Sequence, residues 1–194
     1  MKALGGLKKG LVFVISAPAG TGKTTLVRML QDEFDCVVES VSFTTRPIRP
    51  NEVEGRDYHF ISAADFEKRI AEGEFLEYAQ VFGNYYGTSR KVVEEAQGRG
   101  KHVLLVIDTQ GAMQLMGFLE AVFIFISPPN MEELRARLLT RKSETAEAIE
   151  HRLSWAQKEI ALSRRYDYHI VNDRLKTAYD VLRAILIAEE HKNR

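Results

Sequence analysis

Leu11-Val-Phe-Val-Ile-Ser-Ala17-Pro-Ala-Gly20-Thr-Gly22-Lys23-Thr24-Thr25 decides the fold. The run Leu11 to Ile15 is short and continuously apolar, the mark of a strand buried on both faces of a parallel sheet. Ser16 to Gly22 is a turn of small residues. Thr24 to Phe34 then takes helical spacing, with Leu26, Leu30 and Phe34 on one face. The turn matches the phosphate-loop pattern G-x-x-x-x-G-K-[ST], except that Ala17 stands at the first glycine. Gly20 and Gly22 let the backbone curl so that its N–H groups converge on phosphate oxygens. The helix beginning near Lys23 adds its positive end, and the Lys23 ammonium reaches the outer phosphates. The Thr24 hydroxyl is an oxygen ligand suited to Mg²⁺, together with nucleotide phosphates and water. Ala17 is tolerable if its φ is negative. The competing reading is a ligand-free glycine turn. Strand, loop, Lys, Thr and helix in register favour phosphate.

Working outward, apolar strands are predicted at Val37 to Ser42, His102 to Ile107, Ala121 to Ile126 and Tyr168 to Val171. Helices are predicted at about Met131 to Arg141, Ala146 to Arg164 and Leu175 to Glu190. Strands alternating with helices at both ends imply an α/β fold, a parallel sheet flanked by helices. The stretch 43–91 breaks the alternation. It reads as an α+β insertion, with a short strand at Tyr58 to Ile61, a helix after Ser62, mixed character over Phe75 to Phe82, a turn at Gly83 to Gly87 and a helix over Thr88 to Gln97. One domain is expected, with a core of 1–42, 92–137 and 165–194, an inserted lobe of 43–91 and a helical lid of about 138–164.

Lys plus Arg and Asp plus Glu both number 27, which argues against a nucleic-acid or anionic-membrane partner. The single Cys36 cannot form an intrachain disulfide. Met1 to Gly10 carries lysines without a following export-type apolar stretch, and Leu11 to Ile15 is too short to span a bilayer. A cytoplasmic location is expected.

Two further features bear chemistry. Val103-Leu-Leu-Val-Ile-Asp108 ends a strand in a carboxylate, at the sheet edge where α/β folds bind ligands. Asp108 is alternatively a simple helix cap. Ser42-Phe-Thr-Thr-Arg46-Pro-Ile-Arg49, followed by Glu52, Gly55, Asp57 and Tyr58, sets two arginine forks and a hydroxyl on a Pro-bounded loop, a set suited to a phosphate monoester.

The segment Ser42 to Phe60 closely resembles the GMP-binding loop of guanylate kinases. The resemblance continues through Glu74-Phe-Leu-Glu-Tyr78, Gly83-Asn-Tyr-Tyr-Gly-Thr88, Ile107-Asp-Thr-Gln-Gly111 and Ile170-Val-Asn-Asp173, nearly the whole chain. It implies transfer of the γ-phosphoryl group of ATP to GMP, with Mg²⁺ as cofactor and small nucleotides as the only partners of a monomer or homodimer. By the same resemblance Arg46, Arg49, Tyr58 and Tyr86 hold the GMP phosphate, and Ser42, Glu77, Thr88 and Asp108 read guanine. The chemistry fits, since guanine N1–H and its 2-amino group are donors for carboxylates, and its O6 accepts from hydroxyls. ATP falls to Ala17, Pro18, Ala19, Gly20, Thr21, Gly22, Lys23, Thr24, Thr25, Arg137, Arg141, Asn172 and Asp173. Lys23, Arg46, Arg137 and Arg152 are the implied catalytic residues. Arg137, Arg141 and Arg152 come from a mobile lid, and Asn172 and Asp173 lie near adenine. Val106 departs from the family, which usually carries an acid there.

Two other readings compete: a small phosphate-loop kinase for another acceptor, and a non-enzymatic relative that binds phosphorylated proteins. The intact Gly22, Lys23 and Thr24 weigh against the second.

Overall fold

The computed structural model of the chain describes residues 4–81, 83–140 and 146–193. Its core is a five-stranded parallel sheet in the order β2 (Val37–Glu39), β7 (His102–Val106), β1 (Val12–Ser16), β8 (Val122–Ser127) and β9 (Tyr168–Val171). Each of β1 and β8 is buried at every position, because helices cover both faces and successive side chains point to opposite sides. Phe13, Ile15, Leu104, Ile124 and Ile126 point one way. They pack with Leu26, Val27 and Leu30 of α1 (Lys23–Glu33) and Ala178, Leu182 and Leu186 of α7 (Leu175–Glu190). Val12, Val14, Val103, Leu105, Phe123 and Phe125 point the other way. Their partners are Val93 of α3 (Arg90–Gly98) and Ala112 and Leu115 of α4 (Thr109–Leu115). A third cluster joins Leu134 and Leu138 of α5 (Met131–Leu139) to Ile149, Leu153 and Ala156 of α6 (Ala146–Ala161).

The stretch after β2 forms a second sheet in the order β4 (His59–Phe60), β3 (Phe43–Thr44), β6 (Asn84–Ser89) and β5 (Phe75–Val81). Strands β5 and β6 form an antiparallel hairpin, with a register shift between Phe75 and Glu77. Helix α2 (Ala63–Ala71) starts at Ser62, whose hydroxyl accepts the Asp65 N–H. Phe66 of α2 is fully buried between the rings of Phe75 and Tyr85.

Some sequence expectations need correction. Gly83 to Gly87 is not a turn. Asn84 to Gly87 belongs to β6, and the reversal lies before Asn84, where Gly83 has a φ of 79°. Two adjacent tyrosines are good strand formers, and they outweigh the Asn and Gly turn signal. The helix predicted from Thr88 starts at Arg90, because the Ser89 hydroxyl caps it by accepting the Val92 N–H. Val37 to Ser42 is not one strand. The chain leaves the core sheet after Glu39 and enters the second sheet at Phe43. The expected helix to Arg164 stops at Ala161 and tightens into a 3₁₀ turn over Leu162–Arg165. Among the described residues, no helix is long and apolar enough to cross a membrane.

Candidate functional site

Strand β1 runs out into the phosphate loop between its neighbours β7 and β8. Connections leave β1 and β7 in opposite directions across the sheet, and this opens a crevice at the strands' C-terminal ends. The loop takes the shape its glycines permit. Gly20 and Gly22 have φ of 90° and 92°, a left-handed conformation that side chains resist. Among the described residues the one non-glycine with positive φ is Asn51, so Ala17 stands in the first glycine position without backbone strain. Gly22 precedes α1 without a side-chain cap, and no acid lies in the first turn. The helix therefore keeps its first N–H groups and its positive end for an external anion.

The loop is braced from below. The buried Thr21 hydroxyl donates to the Pro18 carbonyl at 2.7 Å, and the Asn172 amide donates to the Thr21 carbonyl at 2.7 Å. A Cβ on Gly22 would lie 2.8 Å from that Asn172 nitrogen. Gly22→Ala thus forces a left-handed alanine and disrupts the brace. It is expected to lower stability by about 2–4 kcal/mol and to weaken ATP binding. Urea melts and ATP titrations check it; an unchanged midpoint would mean that the loop does not depend on Asn172.

Ten of the predicted residues come together around one cavity of about 260 Å³: Ala17, Ala19, Lys23, Ser42, Arg49, Tyr58, Glu77, Tyr86, Asp108 and Arg152. The larger concavity of about 990 Å³ lies at the N-terminal ends of β1 and β8, beside Gly10 and Val122. That is the wrong end of a parallel sheet for a nucleotide.

Lys23 is half-buried at the start of α1. Burial pushes its ammonium below the ordinary lysine value, against the opposing pull of Glu159, Asp108 and Glu39. Asp108 has both of its expected parts. Its carboxylate caps α4, accepting the Gly111 N–H at 2.9 Å, and it still faces the cavity.

At the far end, Glu77 of β5 is 4% exposed. Burial pushes its carboxyl up to about 7; Thr88 pulls it down, and Asp108 adds to the rise. Thr88, its cross-strand partner, donates its hydroxyl to Glu77 at 2.6 Å. Thr88 is wholly buried behind that carboxylate. Its proton orients Glu77 rather than pointing at a ligand. Gly111 lies so close that a Cβ there would sit 2.3 Å from a Glu77 oxygen.

On the lobe side, the Arg46 guanidinium makes a two-pronged pair with Glu52, at 2.8 and 3.1 Å, over the Tyr58 ring. Glu52 also accepts the Arg49 N–H at 2.8 Å. Arg46 thus stands behind Tyr58, outside the cavity lining. Arg137 of α5 also stands outside it, donating to Glu133 at 2.9 Å and to the Asn172 carbonyl at 3.1 Å. Asn172 is buried and Asp173 exposed just after β9, both outside the lining. Pro18, Gly20, Thr21 and Gly22 complete the loop, and Thr24 and Thr25 are exposed on the first turn of α1. Arg141 lies outside the described residues.

Three residues were missed by the sequence reading. Glu52 is the anion held by the arginine loop. Trp155 and Glu159 line the cavity beside Arg152. Their spacing, i, i+3 and i+7 along α6, was the available signal.

Among the described residues, no group of three or more His, Cys, Asp or Glu could hold a metal ion. The donors on offer are the exposed Thr24 hydroxyl and whatever phosphates the loop binds, which suits Mg²⁺ better than an all-protein cage.

Comparison with known proteins points to one family. The sequence model described as guanylate kinase matches residues 9–189. The guanylate kinase of Protochlamydia amoebophila is 55% identical over 185 residues, covering 95% of this chain and 94% of the relative. That of Chlamydia trachomatis serovar D is 50% identical, covering 93% and 89%. The crystal structure of guanylate kinase from Anaplasma phagocytophilum superposes with a TM-score of 0.78 at 38% identity, covering 99% of this chain and 91% of that one.

Proposed function

The chain belongs to the guanylate kinase family, and from that premise we propose how its cleft carries out the ATP-dependent phosphorylation of GMP to GDP. The observation that carries the reading is one cavity lined both by the phosphate-loop residues Ala17, Ala19 and Lys23 and by the carboxylates of buried Glu77 and half-buried Asp108.

ATP places its phosphates in the loop formed by residues 17–25. Backbone N–H groups and the Lys23 ammonium surround the phosphate oxygens. GMP lies across the cavity, with guanine donors on Glu77 and Asp108 and O6 near the Ser42 hydroxyl. Thr88 acts through Glu77. Arg49, Tyr58 and Tyr86 receive the GMP phosphate, and Arg46 joins them by exchanging the Glu52 carboxylate for phosphate oxygens.

An oxygen of the GMP phosphate attacks the γ-phosphorus of ATP. A P–O bond forms as the bond to the β,γ-bridging oxygen breaks, and ADP leaves. No protein base is needed, because a phosphomonoester loses its second proton near about pH 6. Catalysis is alignment plus neutralisation of the negative charge that spreads over the transferred group. Lys23, Arg152 and Arg137 supply positive charge, Arg137 after leaving its contacts with Glu133 and Asn172. Mg²⁺, held by the phosphates, the Thr24 hydroxyl and water, adds charge neutralisation when bound. Closure of the lobe (43–91) and lid (about 138–164) excludes water and limits ATP hydrolysis. Asn172 supports the loop, and Asp173 and Arg141 complete the ATP side. The same reading extends to dGMP. It places a monomer or homodimer in cytoplasmic purine nucleotide metabolism, GMP recycling included, without nucleic-acid or membrane partners.

The test is ADP formation with ATP and Mg²⁺ across GMP, AMP, UMP, CMP and TMP. Adenine puts an acceptor nitrogen where guanine has N1–H, so it would face two carboxylates unpaired. GMP is expected to lead AMP in kcat/KM by about 10⁴. Equal values for the two would remove the base-reading role of Glu77 and Asp108.

A further inference from the structure

Helix α6 lays one face along the cavity. Ile149, Leu153 and Ala156 turn toward α5, while Arg152, Trp155 and Glu159 line the cavity. The two halves of the helix stand at different parts of the site. Leu134 and Leu138 of α5, on which the first half packs, reach the phosphate loop, and a Cβ on Gly20 would lie 3.0 Å from Leu138. Near the other end, Ile160 packs on the cluster that holds Ile107 and Ala112, beside the start of α4 that Asp108 caps. Arg152 and Glu159 are two turns apart, about 10 Å along the axis. Trp155 lies between them, and so over the middle of the cavity.

The steps described above do not use this residue. Yet it is the broadest apolar surface in the lining. The rest of the apolar wall is small and aliphatic: Ala17, Ala19, Ala79, Val81 and Val106. Tyr58 and Tyr86, the other aromatic residues of the lining, meet each other edge to face at 5.8 Å, and the Tyr58 ring also carries the Arg46 guanidinium. Trp155 is half-buried, so part of its indole stays uncovered. The exposed Lys158, outside the lining, holds its ammonium 5.8 Å from the indole centroid, a contact that steadies the ring. An uncovered indole face in a narrow cavity gains most from a flat π-system laid against it.

We propose that Trp155 is a binding residue for the acceptor, its indole lying against the purine nucleoside while Glu77 and Asp108 take the edge of the base. The division follows from the chemistry. Carboxylates read the donors that guanine alone presents, whereas the indole takes the face, which every purine has. Trp155 thus adds affinity, and discrimination stays with the carboxylates. The proposal rests on the reading of this cavity as the GMP site, and the experiment separates the two.

Trp155 is the chain's only tryptophan, so its emission reports on this position alone. Nucleotide-free wild type is titrated with GMP and, separately, with inorganic phosphate, beside a calorimetric titration with GMP. GMP is expected to quench the emission saturably at the calorimetric affinity, and phosphate is expected to leave it unchanged. In steady-state kinetics Trp155→Leu should raise the KM for GMP at least about fivefold, the low end of what stacking a base on an aromatic side chain supports. Its KM for ATP and its kcat at saturating GMP should stay within about twofold, the pattern of lost ground-state binding. Trp155→Phe, which keeps a ring, should recover most of the KM. GMP binding in the calorimeter with unmoved emission overturns the proposal, as does equal quenching by phosphate or a KM for GMP within about twofold of wild type in the Leu variant. The emission titration uses wild type and decides the matter even if Trp155→Leu does not fold. A calorimeter that shows no GMP binding at all would instead sink the parent reading, and this proposal with it.

Discussion

Lys23→Met is expected to lower kcat by about three orders of magnitude or more, with no loss of thermal stability. The ammonium is half-buried at the start of α1, in the cavity that holds the phosphate loop. Removing a single preorganised donor aimed at developing charge costs about 10²–10³ in rate, and here the donor is a full charge in a desolvated cleft. Methionine keeps most of the stem and removes only the charge. Stability should hold or rise, because burial already pushes the Lys23 ammonium below its ordinary value. A group held that way is charged at neutral pH at a cost to the folded state, and that cost disappears with the charge. Single-turnover rates with saturating ATP and GMP, beside a melting curve, check both halves. A folded Lys23→Met protein with turnover within tenfold of wild type would remove the phosphate-loop assignment.

How much of this was legible in the sequence depends on whether the signal was local. The phosphate loop was, because its function requires contiguous residues with fixed conformations, and Gly20, Gly22 and Lys23 stand where the pattern puts them. The core strands were legible for a similar reason, since burial on both faces leaves an unbroken apolar run such as Val12 to Ile15. The second sheet was less so. The hairpin strands β5 and β6 are only partly buried, and Asn84 to Gly87 mixes turn formers with strand formers, so pairing with β5 and β3 decides the outcome. The pairwise allocation of side chains was not legible at all. Thr88 looked like a donor to a ligand until its hydroxyl was seen on Glu77. Arg46 was read as a phosphate ligand, with nothing to say that Glu52 sits in its fork. Asn172 looked like an adenine neighbour, yet its amide braces the phosphate loop from 151 residues away. Such contacts depend on which segments the fold brings together, and composition and spacing carry no record of them. Glu159 shows the same limit. On paper it is one more acid in a charged helix, and only its 7% exposure sets it apart.

Glu77→Gln should abolish most of the discrimination between GMP and AMP, mainly by losing GMP. The substitution keeps shape and volume but turns one carboxylate oxygen into an amide that donates. Guanine's N1–H and 2-amino group would then meet a donor in place of an acceptor, inside a pocket where water cannot make up the loss. The expected fall in kcat/KM for GMP is about 10²–10⁴, with little change for AMP. The carboxylate's burial adds a second, independent signature. Its folded-state value of about 7 lies above the ordinary 4.5. A raised carboxyl gives stability that is fully present below about pH 4.5 and is lost as pH rises to about 7. The Gln variant has no such loss. Nucleotide-free wild type and variant should therefore melt alike near pH 4, and the variant should be more stable above pH 7, by at most about 3 kcal/mol for a rise of this size. GMP reverses the balance. Its donors favour the ionised carboxylate, so wild-type kcat/KM for GMP should climb with pH toward about 7. The variant should keep only the limb near about pH 6 that comes from the substrate phosphate's own second ionisation. Urea melts at the two pH extremes and paired pH–rate profiles decide it. A Gln variant that still prefers GMP as strongly as wild type would mean that Asp108, Ser42 and the lobe read the base without Glu77.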